Sequence, residues 1–212
     1  MMRLVRTSLG GIGQFIIAMS SWIGLVRIVS MFGSQALAGY TIAVRIFIFT
    51  LMPSWGLSGA AATLVGQNLG AHQPERAERS VWLTGYVNMA FLAVVSVVYI
   101  FGNELLVRIF TSEPAIVAAG AQCLRIVAYG YVAYAWGMVM LQAFNGAGDT
   151  MTPTKIHFFC FWLLEIPLAY VLALKMGINA AGVYWSILVA ETVAGLVGIV
   201  MFRRGKWKKS KV

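Results

Sequence analysis

The chain has 212 residues, of which 60% are hydrophobic and only 11% are charged, and its formal net charge is +9. An average soluble domain is about 45–50% apolar and about 25% charged, so the composition excludes an ordinary soluble protein and predicts an integral membrane protein. The two cysteines, Cys123 and Cys160, lie in apolar runs without the Cys or His spacing of a zinc or haem site, and no cofactor is predicted.

Six apolar runs follow one another along the chain, each long enough to cross a bilayer, which takes about 20 residues. They lie near residues 9–31, 36–66, 80–101, 115–141, 155–174 and 181–202. The sequence therefore predicts an all-α, polytopic membrane bundle of six transmembrane helices in residues 1–202, followed by a basic tail in residues 203–212.

The first two runs are interpreted as helices of different kinds. The first follows Arg3 and Arg6, as a secretory signal would, but it is long enough to span a bilayer and no A-x-A-like cleavage site follows it. The second is long enough to tilt or bend, and Pro53 is the expected site of a bend because its ring clashes with the preceding helical turn.

A polar segment, "VGQNLGAHQPERAERS", separates the second and third runs. It lacks the Lys and Ser/Thr of a phosphate-binding loop, and His72 has no nucleophile or metal partner nearby, so enzyme activity is not predicted. Gly66 and Gly70 are expected to close the preceding helix in the left-handed conformation, and Pro74 to stop it from continuing. The segment is therefore predicted to be a tight turn.

The fourth run carries side chains suited to a ligand. Tyr131, Tyr134 and Met138 lie three and four residues apart, on one helical face, with Arg125 upstream. Aromatic rings and methionine can bind bulky cations, and ordinary helix packing is the alternative. Gln14 in the first run is a further candidate, either for a ligand or for a hydrogen bond between helices.

Two carboxylic acids fall inside the last two runs. Glu165 lies two residues before Pro167, which frees a carbonyl one turn earlier, and Glu191 lies mid-span in "ILVAETVAGLVG". A charge at this depth costs about 2.5–3.5 kcal/mol, so both are candidates for a cavity or for ion coupling, with Glu191 a proton carrier. The alternative for Glu165 is a side chain that faces a neighbouring helix. The alternative for Glu191 is a hydrogen bond or an ion pair with one of the three arginines within or at the ends of spans: Arg27, Arg45 and Arg125.

The cations predict the orientation, since short cytoplasmic loops carry excess Lys and Arg. One side of the bundle holds only Arg108 and Lys175. The other side holds Arg3, Arg6, Arg76, Arg79, Lys155, Arg203, Arg204, Lys206, Lys208, Lys209 and Lys211. Both termini are therefore predicted to be cytoplasmic. The tail with its interfacial Trp207 is expected to attract anionic lipid headgroups rather than nucleic acid.

Several stretches resemble, in order and spacing, the second half of the multidrug and toxic compound extrusion (MATE) family. They are "ALAGYTIAVRI", "MPSWGLSGAAATLVGQNLGAHQPERAERS", "NGAGDTMTP", "IPLAYVLAL" with "GINAAGVYWSI", and "FRRGKWKKSKV". Within them Gly66, Gln67, Gly70 and Ala71 form the cytoplasmic family motif.

This resemblance implies an antiporter in the cytoplasmic membrane of a bacterium that exports small lipophilic or cationic compounds in exchange for H⁺ or Na⁺. The full form has two six-span lobes around a central cavity, and this chain resembles the C-terminal lobe. Its partner would be the missing N-terminal lobe or, less expected, a second copy of the chain. The acidic residues that some family branches carry in the seventh and tenth spans are absent. A non-transporting membrane remnant or assembly subunit is therefore the alternative.

Overall fold

The computed structural model describes residues 2–209, with the side-chain surroundings of residues 9–208. Lys211 of the predicted tail lies outside the described residues, as do the side chains of Arg3, Arg6 and Lys209. Within residues 2–209 the structure is helical throughout. The α-helices are α1 Met2–Ser30, α2 Ser34–Gly70, α3 Pro74–Arg108, α4 Pro114–Ala128, α5 Tyr131–Gly146, α6 Met151–His157, α7 Ile166–Tyr170 and α8 Ala180–Arg203.

Two π-helical segments lie in the penultimate span. Phe158–Glu165 joins α6 to α7, and Val171–Lys175 continues α7, so that Met151–Lys175 is one continuous helical span. A short 3₁₀ helix, Lys206–Lys209, follows α8. Five helices of the described residues are long and apolar enough to cross a membrane, and the bent pair α4–α5 is the candidate for a sixth span. The all-helical membrane bundle predicted from the sequence is confirmed.

The spans are antiparallel, so the bundle has two faces that need names. The terminal face is the end of the bundle where α1 begins and α8 ends, and it includes the turns after α2 and α5. The opposite end, with the turns after α1, α3 and the Met151–Lys175 span, is the distal face. One core cluster, around Tyr40, Leu124 and Tyr184, fills the distal half, and another, around Phe144 and Phe202, fills the terminal half.

The fourth span is broken, whereas the sequence predicts a continuous run over 115–141. α4 and α5 are bent by 62° at Tyr129 and Gly130. A Cβ at residue 130 would lie 3.2 Å from Leu188 Cγ, so glycine lets α8 pack directly against the break. In contrast, α2 continues through Pro53 without interruption.

Small residues bring the spans into backbone contact. A Cβ at Gly39 of α2 would lie 2.7 Å from the backbone nitrogen of Gly120 in α4. A Cβ at Gly137 of α5 would lie 3.2 Å from the Cα of Gly195 in α8. Membrane helices associate through such close packing, because lipid supplies no hydrophobic force between them. The glycines thus build the tight core of the bundle.

The turn after α2 differs from the prediction in one residue. Gly66 and Gly70 lie inside α2, and the left-handed residue is His72, with φ of +57°. The His72 N–H donates to the Leu69 carbonyl (3.0 Å) and the Gln73 N–H to the Asn68 carbonyl (2.8 Å), which is the Schellman pattern. Helix α2 therefore continues to Gly70 and is closed beyond it, by a histidine.

The segment after α8 folds back onto the bundle. The Trp207 side chain is 1% exposed, stacks on Phe202 with ring centroids 4.6 Å apart, and donates Nε1–H to the Phe202 carbonyl at 3.0 Å. Lys208 pairs with Glu78 at the start of α3. The prediction of an interfacial Trp207 is therefore wrong: Gly205, with φ of +67°, turns the chain back and the indole packs into the core.

Candidate functional site

Glu165 is the buried carboxyl of the bundle interior. It ends the π-helical segment Phe158–Glu165, two residues before Pro167, and its side chain is 5% exposed. Ser21 Oγ of α1 donates to Glu165 Oε2 at 2.9 Å and lies 3.2 Å from the Phe161 carbonyl. π-Helical turns are rare and frequent at functional sites. The wide turn before Pro167 thus places the carboxyl against α1, so that Glu165 faces a helix neighbour, the alternative to lining a cavity.

Glu191 lies on α8 beside the same region. Its side chain is half-buried, and α8 packs against the π-helical segment that carries Glu165. Ala190 and Ala194 on α8 pack against Cys160. α1, the π-helical segment, α5 and α8 therefore enclose two carboxyl groups in apolar surroundings.

Neither carboxyl is paired with an arginine. Among residues 9–208 the ion pairs are Glu104 with Arg108, 3.8 Å apart, and Glu78 with Lys208. The three arginines considered as partners of Glu191, namely Arg27, Arg45 and Arg125, are all exposed. The ion-pair alternative for Glu191 is therefore excluded. The same described residues contain no group of three His, Cys, Asp or Glu side chains that could hold a metal ion.

The two tyrosines of the predicted ligand face begin α5. Tyr131 is 3% exposed and lies 5.5 Å, between ring centroids, from Tyr99 and 6.2 Å from Phe47. Tyr134 is half-buried and stacks on Tyr131 at 6.3 Å. Tyr131 is thus part of an aromatic cluster of the core, and the half-buried Tyr134 stacks on the edge of that cluster.

Arg125 is separated from these tyrosines by the break in the span. It lies in the last turn of α4, is exposed, and lines a recess of about 720 Å³ in the distal face. The recess also contains Asn103 and Glu104 of α3 and Asn179 before α8. The structure therefore divides the predicted face into a recess with Arg125 and an interior with Tyr134.

Gln14 joins α1 to the terminal end of α5. Its Nε2 donates to Asn145 Oδ1 and to the Thr150 carbonyl, both at 3.1 Å, and Asn145 Nδ2 donates back to Gln14 Oε1 at 3.3 Å. Gln14 is 9% exposed. Its amide is occupied between helices, in the way that polar side chains link membrane helices.

The motif at residues 66–71 closes α2 against α5. Gly66 contacts the end of α5, because a Cβ there would lie 3.2 Å from the Gly146 carbonyl oxygen. The Ala71 N–H donates to the Gln67 carbonyl at 3.0 Å, and Gly70 is the last residue of α2. These residues shape a turn, and Gln67 itself is exposed on the terminal face.

Sequence reasoning missed two buried polar side chains that tie α3 to other helices. Asn88, 0% exposed, accepts a hydrogen bond from Ser54 Oγ (2.7 Å) and donates to the Ala135 carbonyl (3.0 Å). Ser96 Oγ donates to the Ala128 carbonyl at the break, at 2.8 Å. In the sequence, the only sign of a role for Asn88 and Ser96 is that each is a polar residue within an apolar run.

Comparison with known proteins identifies related chains. The MatE family model matches residues 11–171. A "Probable multidrug resistance protein NorM" of Thermotoga maritima is 27% identical over 180 residues, which are 85% of this chain and 39% of that protein. A "Probable multidrug resistance protein YoeA" of Bacillus subtilis is 23% identical over 99% of this chain and 45% of its own length. The chain thus spans less than half the length of these curated relatives.

Solved structures share the fold. The structure described as "MATE transporter ClbM in complex with Rb+" matches with a TM-score of 0.91 and 19% identity, over 99% of this chain and 50% of that chain. "Crystal structure of MATE in the straight conformation" matches with a TM-score of 0.88 and 16% identity, over 99% of this chain and 47% of that chain. The bundle therefore corresponds to about half of such a protein.

Proposed function

Since the chain belongs to the multidrug and toxic compound extrusion (MATE) family, we propose that it forms the C-terminal half of a secondary antiporter. This antiporter exports organic cations or drugs in exchange for H⁺ or Na⁺. The family is one of membrane transporters and not of enzymes. The assignment to the C-terminal half is supported by the order of the motifs between residues 36 and 212.

The carboxyl groups of Glu165 and Glu191 carry the proposal. A charge inside a membrane bundle costs about 2.5–3.5 kcal/mol on insertion scales, and such groups typically mark ion and proton pathways. Here no cation of the described residues offsets that cost, and the hydroxyl of Ser21 is the hydrogen-bond partner of Glu165. The two groups can therefore take up and release a proton or a monovalent cation, which is the coupling step of the antiporter.

A second six-helix lobe would complete the cavity. Arg45 lies eleven residues into α2, about 16 Å along the helix from its distal end, and its side chain is exposed. A charge at that depth faces water or protein rather than lipid tails. We propose that α1 and α2 face the missing N-terminal lobe or, in a homodimer, a second copy of this chain. An even number of spans gives two copies the same orientation.

The terminal face is proposed to be cytoplasmic. It holds Arg76 and Arg79 at the start of α3 and Arg203 and Arg204 at the end of α8, whereas Arg108 and Lys175 lie on the distal face. Excess positive charge in short loops sets the orientation of membrane proteins. Anionic lipid headgroups are the proposed partners of these exposed cations, and Lys208, which is bound to Glu78, is not among them.

The test is transport by the chain reconstituted in proteoliposomes. Efflux of the fluorescent cation ethidium is measured with an imposed pH gradient and, separately, with a Na⁺ gradient. If two copies of the chain complete the cavity, we expect gradient-dependent efflux that Glu191→Gln and Glu165→Gln abolish. The matched control is Glu104→Gln, since this glutamate is exposed on the distal face and paired only with Arg108.

The outcomes separate the two functions considered. Efflux that is lost in both interior variants and kept in the control supports the antiporter, and the effective gradient identifies the ion. Unchanged efflux in Glu191→Gln and Glu165→Gln would refute the coupling role. If correctly inserted protein shows no efflux, the chain does not transport alone and the lobe needs its missing half.

A further inference from the structure

The recess in the distal face is a second site, built from different residues than the two interior carboxyl groups. It measures about 720 Å³ and is open to the distal side. Small-molecule sites typically measure about 300–1,000 Å³. Its polar walls are Arg125 and Gln122 of α4, Asn103 and Glu104 of α3, and Asn179 before α8. Its apolar walls are mainly alanines of α4 and α8.

Arg125 is the deepest charge in this recess. It lies eleven residues after Pro114, the first residue of α4, and therefore about 17 Å along the helix from the distal end. The helix dipole stabilises a cation in the last turn by about 0.3–1 kcal/mol, against a cost of about 2.5–3.5 kcal/mol for arginine in hydrocarbon. The dipole therefore offsets only part of that cost, and the open recess is what places the guanidinium outside lipid.

The charge of Arg125 has no partner within the described residues. Glu104, the acid of the recess, is paired with Arg108 at 3.8 Å. Gln122, one turn before Arg125 on α4, is exposed into the same space. The recess therefore offers a guanidinium fork with an amide beside it, the donor set that binds carboxylate and phosphate oxygens.

Two further features mark the recess wall. Tyr184 is 0% exposed and lines the recess, and its hydroxyl has no hydrogen-bond partner among residues 9–208. Asn179 has φ of +56° and ψ of −148°, a conformation that L-residues rarely adopt. Strained residues and unsatisfied polar groups of this kind cluster at ligand sites.

We propose that the distal recess binds an organic anion, whose carboxylate or phosphate group pairs with Arg125 and whose apolar body rests on the alanine wall. This goes beyond the export of cations, because the site selects the opposite charge. A soluble organic acid and an anionic phospholipid of the distal leaflet present the same chemistry, and the experiment distinguishes them.

Binding is measured by isothermal titration calorimetry on the full chain in micelles with 2-naphthoate, and in nanodiscs with dioleoylphosphatidylglycerol by native mass spectrometry. The neutral 2-naphthamide is the ligand control. We expect Arg125→Gln to weaken naphthoate binding about tenfold or more, the effect of losing a charge-assisted hydrogen bond. The control variant, Arg27→Gln, removes an exposed cation near the distal end of α1 that does not line the recess, and should change binding less than about twofold.

A second variant tests the recess even if Arg125→Gln does not fold. Ala118→Phe fills the recess from an exposed wall position and leaves Arg125 in place, so it should abolish naphthoate binding. Arg125-dependent binding of naphthoate supports a soluble anion, and Arg125-dependent binding of phosphatidylglycerol alone supports a lipid. Equal binding of naphthoate and naphthamide, or equal binding by wild type and both recess variants, would overturn the proposal.

Discussion

Replacing Ser96 with alanine tests how the broken span is held. Ser96 of α3 is 8% exposed, and its Oγ donates to the Ala128 carbonyl at 2.8 Å. Ala128 is the last residue of α4, and no backbone N–H among the described residues outside that helix donates to its carbonyl. The serine hydroxyl is therefore the donor that satisfies this carbonyl at the break.

The expected loss follows from that single bond. A buried carbonyl left without a donor costs about 1–3 kcal/mol, whereas an average hydrogen bond between membrane helices contributes about 0.6 kcal/mol. Because Ser→Ala removes one oxygen and little volume, we expect a loss of about 1–2 kcal/mol in the free energy of unfolding. Ser80→Ala on the same helix should cost less than about 0.5 kcal/mol, since Ser80 Oγ bonds only to the Arg76 carbonyl one turn earlier.

The assay is reversible unfolding in mixed micelles with increasing sodium dodecyl sulfate, followed by far-UV circular dichroism. Ser96→Thr keeps the hydroxyl and should recover most of the stability. If Ser96→Ala and Ser80→Ala unfold at the same detergent fraction, the hydroxyl does not hold the break and the reasoning fails.

Two further predictions concern the terminal face. Trp207→Ala should lower the free energy of unfolding by about 3–5 kcal/mol, because a large buried ring stacked on Phe202 is lost. The control Lys206→Ala changes an exposed side chain and should leave the free energy of unfolding unchanged. A thermal melt in which both variants match wild type would contradict the packing of Trp207. His72→Gly should raise stability by about 0.5–1 kcal/mol, because glycine adopts the left-handed conformation without strain. Gly148→Ala, at the equivalent left-handed position after α5, should lower the free energy of unfolding by a similar amount. A fall in melting temperature for His72→Gly would show that the left-handed conformation of His72 is not strained.

The spans were predictable from the sequence because a bilayer demands long apolar helices. The turn after α2 was predictable in position for a similar local reason: Pro74, expected to stop the second helix from continuing, is the first residue of α3. These features depend on neighbours within a few residues, which a single sequence displays.

The break and the buried contacts were not predictable, because they depend on distant residues. Gly130 lies at the break because Leu188, 58 residues away in the sequence, packs against it from α8. Trp207 was expected at the membrane interface, since nothing local in a basic tail indicates burial. Likewise, Glu165 was a candidate from its place before Pro167, but its partner Ser21 lies 144 residues away.

The break also has an electrostatic consequence. A helix that starts in mid-span presents N–H groups without partners in its own first turn, equivalent to about half a positive elementary charge. α5 starts in this way at Tyr131, beside Leu188 and one turn of α8 from Glu191. The break thus adds a fixed partial positive charge to the interior of the bundle, besides the charges of the arginines in its spans.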